Sequence, residues 1–512
     1  MGASRITILV VAALCFALLA FPGRTVTAVF INDVFIFIDG AHRIASGQVP
    51  NRDSHSALGP LSFYIPAAGL WLTQNLGAAL PVGMALTSLA VLPALLWILP
   101  TRLPPLLAAA YGAFLLLLLA VPANLGSPIG ALSFAMFYNR IGWFALALLL
   151  VMYLPRKYHG KWGDAADASA AALLLIVQLY IKVTYGVVGI CFMLFLLLDR
   201  AQRIWVLLSL LGTAFAVSLM EIVWSGSFQH LSDLRDAAKV SGGRSIWDVV
   251  HAALRNLADL AVFVLAACCS LWVTRSLRDL AFLAFCAAVG LLIISQNAHG
   301  WGIITLYAGI AVAAGQAANT LKLRGTDSTA SGARLAAGLP LLFLFVAAPP
   351  TAHHAATLVY HAALATTGAG TPVGLPFLGE LRTLKPEGGG APFIARYLES
   401  IESGGDLLQS LPERAERVLV LDFANPFSAG LNLRPPRGDS AWLHWGRNVN
   451  EATHLEPDEM LGDVEIVMIP KIGINSLPLQ QVYGPYITRN FVRLKETNEW
   501  TVYQRRPAMV SE

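Results

Sequence analysis

Ionisable side chains gather in the first long polar stretch of the 512-residue chain, directly after an apolar segment near the N-terminus. Asp33 lies near the start of this stretch, and Asp53 and His55 follow about one helix length later. Carboxylates and an imidazole beside a bilayer are costly to desolvate, unless they line a water-filled site that handles a polar substrate. We therefore take residues 23–79, here named the outer loop, as the candidate active-site region.

The composition sets the class of protein in which this loop must work. Hydrophobic residues make up 56% of the chain and charged residues 13%, against about 25% charged in soluble domains. The sequence therefore predicts a polytopic α-helical membrane protein. The net charge is only +4 and the basic residues are scattered, which argues against a nucleic-acid partner. All five cysteines fall in apolar segments and carry no functional signal.

Apolar windows long enough to cross about 30 Å of hydrocarbon recur along the first two thirds of the chain. They lie near residues 6–22, 80–99, 104–121, 140–155, 167–185, 186–198, 204–224, 255–273, 280–295, 300–317 and 335–350. We predict about eleven transmembrane helices, the first of them a retained signal anchor. Residues 60–75 are also apolar, but the positive-inside rule favours an interfacial helix there, which leaves the outer loop facing outward.

The predicted domain organisation changes after the last apolar window. Residues 1–350 form the transmembrane domain, residues 351–390 form a linker rich in Ala, Gly, Pro and Thr, and residues 391–512 form an extracytoplasmic α/β domain. The last region is predicted to contain helices at 394–411 and 457–461 and strands at 417–422, 464–469, 491–495 and 500–504. No glycine-rich phosphate loop follows a strand, so the sequence gives no sign of nucleotide-driven transport.

The motifs of the outer loop resemble those of the GT-C class of membrane glycosyltransferases, nearest the protein O-mannosyltransferase and aminoarabinose transferase branches. Those families carry an acidic pair near the start of the loop and a later Asp-x-His-Pro-Pro-Leu-like run. This chain has Asn32-Asp33, the turn Gly47-Gln-Val-Pro50, then Asp53-Ser-His55 and Gly59-Pro60-Leu61. The acidic pair is thus Asn-Asp, and the later run reads Asp53-Ser-His55-Ser-Ala-Leu-Gly-Pro60-Leu61, with a single proline.

The resemblance covers roughly residues 1–350 and implies a function. Such enzymes take a sugar from a polyprenyl- or dolichyl-phosphate and transfer it to a glycan, lipid or protein acceptor at the outer face of a membrane. The implied partners are therefore membrane lipid, the lipid-linked donor and the acceptor. Spans rich in Ala, Gly and Leu suit a multi-pass protein of a bacterial inner membrane, with its site facing the periplasm.

Each acidic or imidazole group of the loop has a chemical reading and a structural one. Asp33 is the candidate general base for the acceptor hydroxyl, and it could equally cap the helix that follows. Asp53 is a second catalytic candidate, and Asp53 with His55 would bind a divalent cation such as Mg²⁺ or Mn²⁺, or position the donor phosphate. Turn stabilisation is the structural alternative for that pair. Asp39 is predicted to pair with Arg43 one turn later and is left out of the catalytic set.

Cationic residues at the predicted outer ends of helices are the natural partners of a lipid phosphate. Lys182 stands out because a lysine in a strongly apolar stretch must snorkel or meet an anion. Arg140 and His299 are further substrate-binding candidates, with interfacial anchoring and an ordinary loop histidine as alternatives. Arg244 belongs to loop 225–254, which either orders on substrate binding or is simply solvated.

Two other classes of function fit the same sequence. A secondary transporter or flippase of a lipid-linked or small polar substrate is the first, although such proteins tend to show internal repeats and ionisable groups at mid-membrane. A non-catalytic assembly protein of the cell envelope is the second. The aromatic and polar residues of 425–436 and 442–445 also suggest acceptor recognition by the C-terminal domain, although core packing explains them equally well.

Overall fold

The structure is a computed structural model that describes residues 2–157, 162–243, 245–296, 300–324, 330–385, 391–412 and 415–507. In the first half of the chain the helices are α1 Ala3–Ala20, α2 Ile31–Ala45, α3 Leu61–Thr73, α4 Leu76–Arg102, α5 Pro105–Ala120, α6 Phe137–Leu150, α7 Gly163–Ile181, α8 Val183–Leu196, α9 Arg203–Trp224 and α10 Ser227–Ser241. In the second half they are α11 Ile246–Arg255, α12 Leu257–Thr274, α13 Leu277–Ser295, α14 Ile304–Arg324, α15 Ala330–Thr367, α16 Ala391–Gln409, α17 Phe427–Gly430, α18 Pro457–Leu461 and α19 Ser476–Asn490.

The strands are few and short, and most of them belong to the C-terminal part. They are β1 Thr25–Thr27, β2 Thr371–Pro372, β3 Leu381–Thr383, β4 Val418–Val420, β5 Ile466–Pro470, β6 Phe491–Glu496 and β7 Trp500–Arg505. The predicted fold class, a polytopic helical protein with a C-terminal α/β region, agrees with this architecture.

Among the described residues, seven helices are long and apolar enough to cross a membrane: α1, α4, α7, α9, α12, α13 and the Gly338–Thr367 part of α15. Shorter apolar helices are α3, α5, α8 and the segment Phe137–Tyr153, in which α6 runs into a 3₁₀ turn. Each predicted span coincides with one of the observed helices. The segment predicted to be interfacial forms α3, with Pro66 inside it.

Two glycines let α3 lie directly against α4. A Cβ atom on Gly69 would stand 2.1 Å from the carbonyl oxygen of Ala79, and one on Gly83 would stand 2.3 Å from that of Ile65. Backbone contacts this close exclude any larger side chain. These two glycines therefore set the short distance between α3, which belongs to the outer loop, and α4.

The region predicted as a linker, residues 351–390, differs in the structure. Residues up to Thr367 continue α15, because the alanine-rich sequence favours helix despite its polar residues. Beyond it, β3 pairs in parallel with β1 of the outer loop and antiparallel with β2. The prediction of a linker therefore did not include the small sheet that connects this region to the start of the outer loop. Residues 386–390 lie outside the described residues.

The C-terminal domain contains a four-stranded mixed sheet in the order β4-β5-β7-β6. The pair β4 and β5 is parallel, and the other two pairs are antiparallel. The predicted helices and strands of this domain are all present, with ends shifted by a few residues. Helix α19 was not predicted, because Pro485 and a mixed polar sequence hide its periodicity.

A buried ion pair joins the outer loop to this domain. The Arg43 guanidinium donates to Asp439 through two nitrogens, each at 2.7 Å, and its Nε donates to Asp39 at 2.6 Å. All three side chains are at most 3% exposed. The predicted pairing of Asp39 with Arg43 is confirmed, and the domain partner Asp439 completes it.

Candidate functional site

A cleft of about 520 Å³ opens where the junction of α7 and α8 faces α10 and the C-terminal domain. We name it the lysine cleft. Its polar and aromatic lining consists of Tyr138, Lys182, Thr184, Ser241, Gln296, Trp442 and Arg447. Two cations therefore line one cavity, and one of them comes from each domain.

Lys182 is held at the break between two helices. Its backbone is extended, with φ −165° and ψ 115°, so that α7 ends just before it and α8 begins just after it. The ammonium donates to the Asn139 side chain at 3.1 Å and lies 5.9 Å from the ring centre of Tyr138. An aromatic face and an amide oxygen are both favourable surroundings for an ammonium group. The structure thus places Lys182 in the lining of the cleft.

Arg447 was not among the residues singled out from the sequence. It follows Gly446, which has a φ of 74°, in a turn of the C-terminal domain. Its guanidinium lies 5.9 Å from the ring centre of Trp442. The aromatic stretch 442–445 was the closest feature that the sequence analysis had singled out. Nothing in the sequence around Arg447 indicates that this residue lines the same cleft as Lys182.

Asp33 sits in the first turn of α2 and is partly buried. The residue that caps α2 is Phe30, in the left-handed conformation and without a side-chain hydrogen bond, so Asp33 does not take the capping role that was its structural alternative. Burial raises the pKa of Asp33 to about 6, and the positive charge of Arg447 opposes that rise. Asp33 is not in the wall of the lysine cleft, but it lies within electrostatic range of both Arg447 and Tyr138.

Asp53 is engaged in a turn. One oxygen of its carboxylate accepts from the backbone N–H of Val49 at 2.8 Å, and the other accepts from the Arg437 guanidinium at 3.1 Å. Both contacts hold the outer loop to its own turn and to the C-terminal domain. The geometry therefore favours the structural reading of Asp53 over the catalytic one.

His55 is clamped between two carboxylates. Its Nδ1 lies 2.9 Å from Asp233 of α10, and its Nε2 lies 2.9 Å from Glu459 of α18. Burial lowers the pKa of His55, but the hydrogen bonds and charges of the two carboxylates outweigh it and raise the pKa above the usual value. Because carboxylates of α10 and α18 occupy both nitrogens of His55, neither nitrogen is available to a ligand shared with Asp53.

The predicted divalent cation gains no support from this arrangement. Asp53 and His55 bind different partners, and no cluster of three or more His, Cys, Asp or Glu side chains suited to a metal occurs in the described parts of the chain. Metal dependence stays an untested prediction.

The remaining cationic candidates lie elsewhere. Arg140 is 1% exposed and donates to the carbonyl of Ala123 at 2.9 Å, so it faces the interior of the bundle rather than the lysine cleft. Arg244 and His299 fall outside the described residues. Of the five predicted substrate-binding residues, Lys182 alone lines the cleft among those that the structure describes.

A second groove, of about 550 Å³ and almost wholly apolar, adjoins the outer loop. We name it the apolar groove. Leu61 and Tyr64 of α3, Tyr180 of α7 and Val223 and Trp224 of α9 are among its lining residues. The Trp224 indole donates to the carbonyl of Pro50 at 2.7 Å and so fixes α9 to the outer loop.

Comparison with known proteins adds little information about the function of this chain. No protein-family model and no curated protein matches the chain. Among solved structures, the chain is similar to the crystal structure of ArnT from Cupriavidus metallidurans bound to undecaprenyl phosphate, over 98% of each chain, with 11% sequence identity and a TM-score of 0.49. A likeness this distant carries no argument, so the geometry of the site must bear on function by itself.

Proposed function

We propose that the protein transfers a glycosyl group from a polyprenyl-phosphate sugar to an acceptor at the outer face of the membrane. The observation that carries the proposal is that Lys182 and Arg447 line the same cleft. The partly buried Asp33 carboxylate lies within electrostatic range of Arg447. The GT-C-like motifs of the outer loop point in the same direction.

The two cations supply what the leaving group needs. Cleavage of the bond between the anomeric carbon and the phosphate oxygen leaves negative charge on the departing lipid phosphate. Fixed positive groups that face this charge stabilise the transition state more than the ground state. Lys182 offers three donors on a flexible stem, and Arg447 offers a planar fork that suits two phosphate oxygens.

Asp33 supplies the base. The acceptor hydroxyl must lose a proton as it attacks the anomeric carbon, and a carboxylate whose pKa is about 6 is mostly ionised at neutral pH yet more basic than an exposed aspartate. The proton passes to Asp33, the sugar to the acceptor oxygen and the bonding electrons to the phosphate. Burial raises the pKa of Asp33, and the positive charge of Arg447 limits that rise.

The apolar groove fits the lipid part of such a donor. Its walls offer almost no polar surface, and Val223 is 78% exposed, so the groove opens to the surroundings of the bundle. Tyr180 of the groove stands two residues before Lys182 of the cleft, so a lipid chain in the groove could carry its phosphate to the lysine. A free sugar phosphate would not need this surface.

The deciding experiment measures transfer of labelled sugar from polyprenyl-phosphate donors to endogenous acceptors in membranes that contain the wild type, Asp33→Asn or Asp236→Asn. We expect Asp33→Asn to lose about a hundredfold or more of the activity, as removal of a general base does. Asp236→Asn is the matched control, because that carboxylate is 43% exposed, pairs with Lys239 on α10 and does not line the lysine cleft.

Either of two results would count against the proposal. Unchanged transfer by Asp33→Asn would remove Asp33 from the reaction while leaving the transferase in place. Absence of wild-type transfer with every donor tested would instead favour the transporter or flippase alternative.

A further inference from the structure

A separate cavity of about 490 Å³ lies where α12, α14 and α15 meet the loop between α5 and α6. We name it the histidine cavity. Its polar and aromatic lining consists of Ser127, Asp259, Trp301, Tyr307, His353 and His354. It shares no lining residue with the lysine cleft. Its volume falls within the range of about 300–1,000 Å³ that is usual for small-molecule sites.

Two buried polar atoms of this cavity lack a partner. Within the described parts of the chain, neither Asp259 Oδ2 nor His354 Nδ1 has a hydrogen-bond partner, and His354 is 3% exposed. Trp301 and Tyr307 line the cavity together with this carboxylate. Buried acceptors and donors left unpaired are rare and costly, so a carboxylate with a free oxygen indicates a ligand that donates to it.

Aromatic rings form the adjoining wall. The ring centres of Trp301 and His354 are 6.5 Å apart, and those of Trp301 and Tyr307 are 6.3 Å apart, both in edge-to-face arrangements. An apolar ring face beside hydrogen-bonding groups matches a ligand with C–H faces and hydroxyl edges. A sugar ring has this combination of surfaces.

The charge balance favours a neutral ligand. Asp259 brings one negative charge, and the buried Arg140 guanidinium lies within electrostatic range of His354 behind the wall. A lone carboxylate would favour an ammonium group, and a lone arginine would favour a phosphate. Because the carboxylate that lines the cavity and the guanidinium that acts on His354 carry opposite charges, neither kind of ion is preferred over a neutral hydroxyl-rich ring.

We infer that the histidine cavity binds a neutral sugar ring, with hydroxyls that donate to Asp259 and pair with His354, and with a ring face on Trp301. The inference does not rest on the transferase activity. A chain that transfers nothing would still have this cavity, and an active transferase could lack sugar binding there.

The test is saturation-transfer NMR on the full-length protein in lipid nanodiscs. The probes are D-glucose, D-mannose and L-arabinose, with choline chloride as the cationic probe and glucose 1-phosphate as the anionic one. The variants are Asp259→Ala, His354→Phe and the exposed control Asp236→Ala. We expect signals from at least one neutral sugar, about tenfold weaker binding in Asp259→Ala for loss of a charge-assisted hydrogen bond, and no change in the control.

His354→Phe keeps the ring and its packing but removes both nitrogens, so it separates recognition from folding. It too should weaken sugar binding while leaving the thermal unfolding midpoint near that of the wild type. The inference is overturned if no neutral sugar gives a signal, if choline or glucose 1-phosphate binds in preference, or if both cavity variants bind sugar as the wild type does.

Discussion

At the scale of single residues, the ionisation of Asp33 should set the acid limb of the activity. Its pKa of about 6 means that the carboxylate takes up a proton as the pH falls below that value, and a protonated acid cannot accept the proton of the acceptor hydroxyl. We therefore expect kcat/KM for transfer to fall about tenfold per pH unit well below pH 6. Initial rates between pH 4.5 and 8, in membranes first shown to stay intact over that range, measure it.

The same raised pKa makes a prediction about stability. The folded protein binds the Asp33 proton more tightly than the unfolded chain does, so the ionised carboxylate is destabilising above about pH 6 and the cost disappears as the pH falls. Asp33→Asn removes this charge. Its thermal unfolding midpoint at pH 7.5 should be equal to or above that of the wild type, although its activity is lost. A variant that is both inactive and much less stable would indicate a structural role.

At the scale of elements, the apolar groove between α3, α7 and α9 should select donors by their lipid. Val223→Trp places a bulky ring in the groove, where it displaces part of a lipid chain. We expect KM for a long-chain polyprenyl donor to rise about tenfold, which corresponds to the loss of a few buried methylene groups, while a short-chain donor is used as before.

The control for that prediction is Leu211→Trp. Leu211 is also on α9 and is 67% exposed, but it does not line the groove. An equal rise of KM in both variants, or an equal effect on long and short donors, would show that the groove does not hold the lipid.

The clamp on His55 fastens α10 to the outer loop and should loosen at high pH. Because the two carboxylates raise its pKa, protonated His55 contributes stability that is complete below its usual pKa of about 6.5 and is lost as the pH rises through the raised value. Hydrogen exchange of α10 should therefore increase between pH 6.5 and 9, after correction for the intrinsic rate. His55→Gln should remove this dependence, whereas His251→Gln, an exposed histidine of α11, should retain it.

At the scale of the whole molecule, the transmembrane and C-terminal domains are joined through buried charge. Asp439→Asn removes the charge of one partner of the buried Arg43 guanidinium and leaves the pair with Asp39 in place, so we expect a loss of about 1–3 kcal/mol from the weakened hydrogen bonds. Thermal unfolding of the purified protein should show this loss. Glu496→Gln, which breaks two exposed pairs within the C-terminal domain, with Lys471 and Arg493, should change little. An Asp439 variant as stable as the wild type would mean that the domains associate without the ion pair.

The lysine cleft depends on the same contact between the outer loop and the C-terminal domain. Lys182 belongs to the transmembrane domain and Arg447 to the C-terminal domain, so the two cations face one cavity only while the domains stay docked. The Asp439 variant should therefore also lose transfer activity, through a higher KM for the donor, even at temperatures where it remains folded. Assays well below its unfolding midpoint distinguish this effect from simple unfolding.

The sequence by itself determined the class of the protein and most of its elements. Apolar length and composition specify membrane helices because the bilayer leaves few alternatives, and the spacing of Asp39 and Arg43 specifies their pairing because side chains four residues apart share one face of a helix. Lys182 could also be singled out from the sequence, because a lysine in an apolar stretch needs polar partners. These are local properties that a short window of residues contains.

Only the tertiary structure decided which of the polar residues share a cavity. Asp53 and His55 are two residues apart in the sequence motif, yet Asp53 binds Arg437 while His55 binds Asp233 and Glu459. Arg447, far along the chain, lines the same cleft as Lys182. Contacts between distant segments depend on how helices and domains pack. The periodicity of one segment does not show which residues of another segment will contact it. The chemistry of a site formed between domains is therefore a property of the folded chain.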